Sequence, residues 1–104
     1  MIIREWRGRA DPSRAQAYPK HFRDNVVPEL RGVPGFAGAH LARRDADGKI
    51  EFVVLTRWRS MESIRNFAGS DIEAAVVEPG AVAALTDFDA HVRHYEVIES
   101  VEAP

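Results

Sequence analysis

Cysteine is missing altogether from the 104 residues, which excludes disulfides, a thiolate nucleophile and every cysteine-ligated metal site. Long apolar runs are missing too. None approaches the roughly 18 residues of a membrane span. The opening Met1-Ile2-Ile3 runs at once into Arg4 and Glu5, too soon for the apolar core of a secretory signal. Charge of one sign is not in excess either: 14 Lys and Arg face 16 Asp and Glu, a balance that gives no drive toward nucleic acid or an anionic membrane surface. What is present is an ordinary globular mixture, 45% hydrophobic and 29% charged, in a length that suits one domain. Residues 1–104 are expected to fold as a single cytoplasmic domain, with residues 99–104 as a tail.

Patterning along the chain defines a short list of elements. Residues 2–9 read as a strand, with Ile2, Arg4 and Trp6 on one face and Ile3, Glu5 and Arg7 on the other. Asp11-Pro12 is an N-cap followed by proline at the first helical position. Ala15, Tyr18, Phe22, Val26 and Leu30 then fall on one helical stripe. Pro19 predicts a kink or break near Tyr18, with the longer helical piece after it, and Pro28 loosens the end. Gly32 to Gly35 form a loop, residues 36–44 a second strand, and Asp45-Ala46-Asp47-Gly48 a hairpin turn. Residues 50–58 give the clearest strand. Ser60 caps a short helix ending at Gly69. A helical turn is expected over residues 72–77, broken by Pro79-Gly80, and a last strand over residues 88–98.

Strand, helix, strand, strand, helical region, strand is the split βαβ order of an α+β, ferredoxin-like subunit: an antiparallel sheet with helices on one face. In it Trp6 and Trp58 are expected on adjacent parallel strands. The centre of the third strand, Phe52-Val53-Val54-Leu55, is apolar on both faces, so the face without helices needs another cover. A second copy of the chain is the simplest one. A homodimer is therefore expected.

The run Phe52-Val53-Val54-Leu55 into Trp58, then Ser60, Phe67-Ala68-Gly69, Asp71, Ala74-Ala75-Val76-Val77-Glu78-Pro79 and a closing His94-Tyr95-Glu96-Val97 resembles the antibiotic biosynthesis monooxygenase-like family. The resemblance spans nearly the whole chain. It implies a dimeric α+β barrel, and it leaves the reaction open, since the group includes quinone-forming oxygenases and heme degraders. Heme-degrading relatives carry an asparagine on the first strand, and a tryptophan and a histidine after the third. The matching positions here are Trp6 or Arg7, Phe67, and the neighbourhood of Val77, so the axial iron ligand is lacking and heme degradation is disfavoured.

The resemblance then implies a cofactor-independent monooxygenase acting on a small aromatic or quinol-type compound, with no cofactor and no metal. Such a protein removes a substrate proton and lets the carbanion meet dioxygen in an apolar, water-poor pocket. His94 and His21 are the candidate catalytic residues, and Tyr18, Phe22, Trp58 and Phe67 the candidate substrate pocket. The alternative is a homodimer of the same fold that binds a small molecule, or serves structurally, without catalysis. Metal chelation is not expected. His91 and His94 would point to opposite faces of a strand, while His40 and His94 fall on opposite edge strands, roughly 14 Å apart at about 4.8 Å per strand.

Overall fold

A computed structural model describes residues 1–104. Its centre is the antiparallel pair of β1 (Ile2–Ala10) and β3 (Lys49–Trp58). β2 (Phe36–Ala46) pairs with the outer edge of β3. β4 (Asp87–Phe88) and β5 (Arg93–Glu96) share the free edge of β1. All pairings are antiparallel, and the helices lie on one face, as the ferredoxin-like reading requires. Two of its details change. Trp6 and Trp58 lie on adjacent strands that run antiparallel, because β3 returns between the two strands of the split unit. The last strand is two short pieces, with residues 90–92 between them stepping away from β1 just after Asp89 N–H donates to Arg7 O.

The first helix resolves the proline difficulty. Asp11 accepts from Ser13 N and caps a single tight turn at Pro12–Arg14. The chain then restarts as a helical run over residues 17–31 (α1). Pro19 sits in its first turn, where a missing N–H costs no intrahelical bond. The break falls just before Tyr18, with the longer helical piece after it, as the sequence predicts. Within α1, Phe22–Val26 form a π-helical turn, in which Val27 N–H donates to Phe22 O. This wider turn leads directly into Pro28, whose nitrogen has no proton to give.

The hairpin between β2 and β3 closes on Asp47 (φ 52°) and Gly48 (φ 75°), two consecutive left-handed residues of the kind a two-residue hairpin requires. Ser60 accepts from Ser63 N to open α2 (Met61–Ala68). Residues 72–77 form no helix. Proline begins one instead, at α3 (Pro79–Ala84), since its fixed φ suits a first helical position. No helix is long and apolar enough to cross a membrane.

Alternation along β3 sends Ile50, Phe52, Val54, Thr56 and Trp58 inward, all buried, while Val53 and Leu55 on the opposite face are half-exposed. The core has two parts. Tyr18 and Phe22 pack on Phe52 and Ile50 beneath α3, and Leu30, Ile64 and Trp58 close the other end. The open face is less greasy than the strand centre suggests. Ile3, Val53 and Leu55 lie among charged groups, with Arg44 Nε 2.9 Å from Glu51 Oε1 and Arg7 Nε 3.4 Å from Glu5 Oε1.

Candidate functional site

A cavity of about 60 Å³ lies between the inner sheet face, α1 and the segment leading into α3. Alternation in β1 and β3 places Arg4, Trp6, Val54 and Thr56 on its floor. The helical spacing of α1 brings Tyr18, His21, Val26 and Glu29 to one wall, with Leu30 a residue further on. Phe67 from α2, and Val76, Glu78, Ala81 and Val92, complete the lining. Most of these groups are apolar, so the few polar ones stand out.

Arg4 is the most unusual. The residue is 5% exposed, and no carboxylate lies within salt-bridge distance of it. Nη1 donates to Ile72 O at 2.6 Å and to His94 Nε2 at 3.0 Å, and Nη2 donates to Ala74 O at 2.9 Å. The ring of Phe67 lies against the guanidinium, 5.9 Å from centroid to Cζ. Its positive charge thus rests on neutral partners alone, and burial pushes its pKa down to about 10. Burial and the neighbouring Arg4 charge also hold His94 below the ordinary histidine range, against a weaker pull from Glu73.

On the α1 side, Tyr18 is buried and stacks between Trp6, at 5.8 Å, and Phe52, at 5.5 Å. Burial, with the charge of Glu78, pushes its phenol upward, so it acts as a neutral hydroxyl. His21 pairs through Nδ1 with Asn25 Nδ2 at 3.2 Å, while its Nε2 is buried without a hydrogen-bond partner. Glu29 is held above the ordinary carboxylate range by a hydrogen bond shared with Glu78, by burial, and by the charge of Glu78. Two acids thus stand together on the wall, with a single cation on the floor.

Of the residues expected at the site, Tyr18, His21 and Phe67 line this cavity. Phe22 and Trp58 do not. Phe22 is 8% exposed in the main core, and Trp58 is fully buried between Phe36 and Phe67. Phe22 is taken up by the cluster around Ile50 and Phe52, and Trp58 by Leu30 and Ile64 at the other end of the sheet. His94 reaches the site only through Arg4. Sequence reasoning missed Arg4, Glu29 and Glu78. The available signal was Arg4 itself, a cation sharing a strand face with Ile2 and Trp6. Glu29 and Glu78 gave none, being ordinary surface acids until the chain folds. No group of three or more His, Asp or Glu is placed to hold a metal ion.

Solved structures with this fold include a protein from Bacillus cereus described as a putative antibiotic biosynthesis monooxygenase. It has a TM-score of 0.68 at 19% identity, covering 98% of this chain and 97% of that one. The heme degrader MhuD of Mycobacterium tuberculosis, solved with two hemes in its active site, gives 0.65 at 20% identity, covering 98% and 100%. A monooxygenase from the gene ActVA-Orf6 of Streptomyces coelicolor, in complex with Nanaomycin D, gives 0.61 at 15% identity, covering 99% and 91%. Among curated proteins, none matches the chain by sequence. The family model for antibiotic biosynthesis monooxygenases matches residues 1–79, and the chain belongs to that family.

Proposed function

We propose that this protein is a cofactor-independent monooxygenase acting on a small aromatic or quinol-type compound, and that it works as a homodimer paired through its open sheet face. One observation carries the reading. Tyr18 and His21, both predicted from the sequence, line an aromatic-walled cavity in which His21 Nε2 is buried and unpartnered. A packed core would have favoured the non-catalytic alternative.

The chemistry asks little of the protein. Asn25 Nδ2 donates to His21 Nδ1, so the neutral ring carries its proton on Nε2. An acidic CH₂ between aromatic rings gives up its proton to water as the substrate enters. His21 Nε2–H donates to the enolate oxygen, and the carbanion passes one electron to dioxygen. The radical pair recombines as a carbon–oxygen bond, and the resulting peroxide collapses to a ketone. Carbon is oxidised by four electrons, dioxygen is fully reduced, and the oxygen atoms end in the ketone and in one water. Aromatic walls exclude solvent while the carbanion exists, and Tyr18 supplies a neutral hydroxyl for the developing peroxide. His94 is a positioning residue in this scheme, because its lone pair is spent on Arg4.

Size sets a further condition. An apolar cavity of about 150 Å³ accommodates benzene, so the present 60 Å³ admits an aromatic ligand only when its cover moves. Residues 69–78, which form no helix or regular strand and carry Val76 and Glu78 over the cavity, are the part that yields. Heme finds less support here: the wall carries two carboxylates, and half-buried Val77 stands where the family's heme degraders place histidine.

Oxygen uptake with a panel of anthrones, quinols and catechols tests the reading, comparing wild type with His21→Ala and His94→Ala. Uptake lost in His21→Ala and lowered in His94→Ala is the expected result. No uptake above background on any substrate would leave the small-molecule-binding or structural homodimer as the better account.

A further inference from the structure

Arg4 has more donors than the protein uses. A guanidinium carries five N–H groups, and three of them meet Ile72 O, His94 Nε2 and Ala74 O. The Nε–H and one N–H of Nη2 have no acceptor. Arg7 Nε and His21 Nε2 are the buried side-chain polar atoms without a hydrogen-bond partner. Arg4 Nε is not among them, although it has no acceptor, so it is not sealed off, and Arg4 lines the cavity.

A buried cation resting only on neutral acceptors is costly unless something completes its shell. Tying down residues 72–74 would not by itself require a full positive charge under an aromatic wall. A planar oxyanion would satisfy both free donors at once. Glu29 and Glu78 on the same lining disfavour a second negative charge on the guest. Trp6 and Phe67 offer aromatic surface beside the cation.

We propose that Arg4 is the oxyanion-binding residue of the cavity, and that its guest is a monoanionic aromatic compound, an ionised phenol or enol or an arenecarboxylate, held by the Nε–H and the free Nη2 N–H. The proposal rests on the cavity being the ligand site of the reading above, but a binding measurement separates it from turnover. Calorimetric titration with 1-naphthoate and with its neutral isostere 1-naphthamide is the direct test. Wild type is expected to bind the anion about tenfold more tightly or better. Arg4→Gln should abolish that preference, and Arg4→Lys should lose most of it, because an ammonium keeps the charge without the fork. Titration with 1-naphthol above and below its own ionisation tells a phenolate site from a carboxylate site.

Equal affinity of wild type for the two isosteres, binding of neither, or a preference surviving in Arg4→Gln would each overturn the proposal. The wild-type comparison decides the matter even if Arg4→Gln fails to fold. Oxygen uptake on a neutral quinol, with no preference for the anion, would remove the role of Arg4 and leave the oxygenase reading standing.

Discussion

Arg4 Nη1 lies 3.0 Å from His94 Nε2, and the direction of that hydrogen bond fixes the state of the imidazole. A guanidinium only donates, so His94 Nε2 presents a bare lone pair and the ring carries its proton on Nδ1. Protonating the ring would set two cations against each other.

His94 should therefore stay neutral to a lower pH than an ordinary histidine. The unfolded chain takes up the proton first as pH falls, so stability drops from the ordinary histidine range downward and is regained as pH rises. The melting temperature should fall between about pH 7 and about pH 5, and His94→Gln should remove part of that slope. Nitrogen NMR of the ring should show the Nδ1–H form. A protonated His94 at neutral pH would contradict the assignment.

His21 is testable without being touched. A Cβ at position 80 would stand 2.6 Å from His21 Nδ1, so Gly80→Ala must push the imidazole away from Asn25. The gain in helix propensity, about 1 kcal/mol, offsets much of the cost, and denaturant unfolding should show little change. Oxygen uptake should nonetheless fall toward that of His21→Ala. Full activity in a folded Gly80→Ala protein would remove His21 from the proposed chemistry.

Trp58 belongs to stability instead. It is fully buried, and its Nε1–H donates to Thr56 Oγ1 at 2.8 Å. Trp58→Ala should cost about 3–5 kcal/mol, whereas Trp58→Phe loses mainly the hydrogen bond, about 1 kcal/mol. Urea titrations at one pH separate the two.

The acids on the cavity wall carry a pH dependence of the opposite sign. Glu29 has a raised pKa in the folded state, so its contribution is fully present at low pH and is lost as pH climbs through that value. Glu78→Gln relieves the repulsion. Because Glu29 is largely exposed, the gain should stay below about 1 kcal/mol. It should appear near about pH 7 and vanish near about pH 4, measured by urea unfolding at both.

Pairing through the open face is checked by sedimentation at micromolar concentration, where the wild type should run as a dimer. Leu55 pairs with Glu5 and His40 at the middle of that face, and Leu55→Arg should yield a folded monomer. A monomeric wild type would defeat the homodimer proposal outright.

Local rules written in adjacent residues were legible without coordinates. The alternation from Ile50 to Trp58, the left-handed pair Asp47-Gly48, the Ser60 cap and the stripe from Tyr18 to Leu30 each express a period or a dihedral preference that a few neighbours determine. Pro79 was misread as a breaker, because proline ends a helix or begins one according to what precedes it. What only the tertiary structure decided is which distant groups meet. Arg4 and His94 stand 90 positions apart, and Glu29 and Glu78 nearly 50. Their charges acquire meaning only when the sheet removes water from around them, since the same arginine in solvent would be one more surface cation.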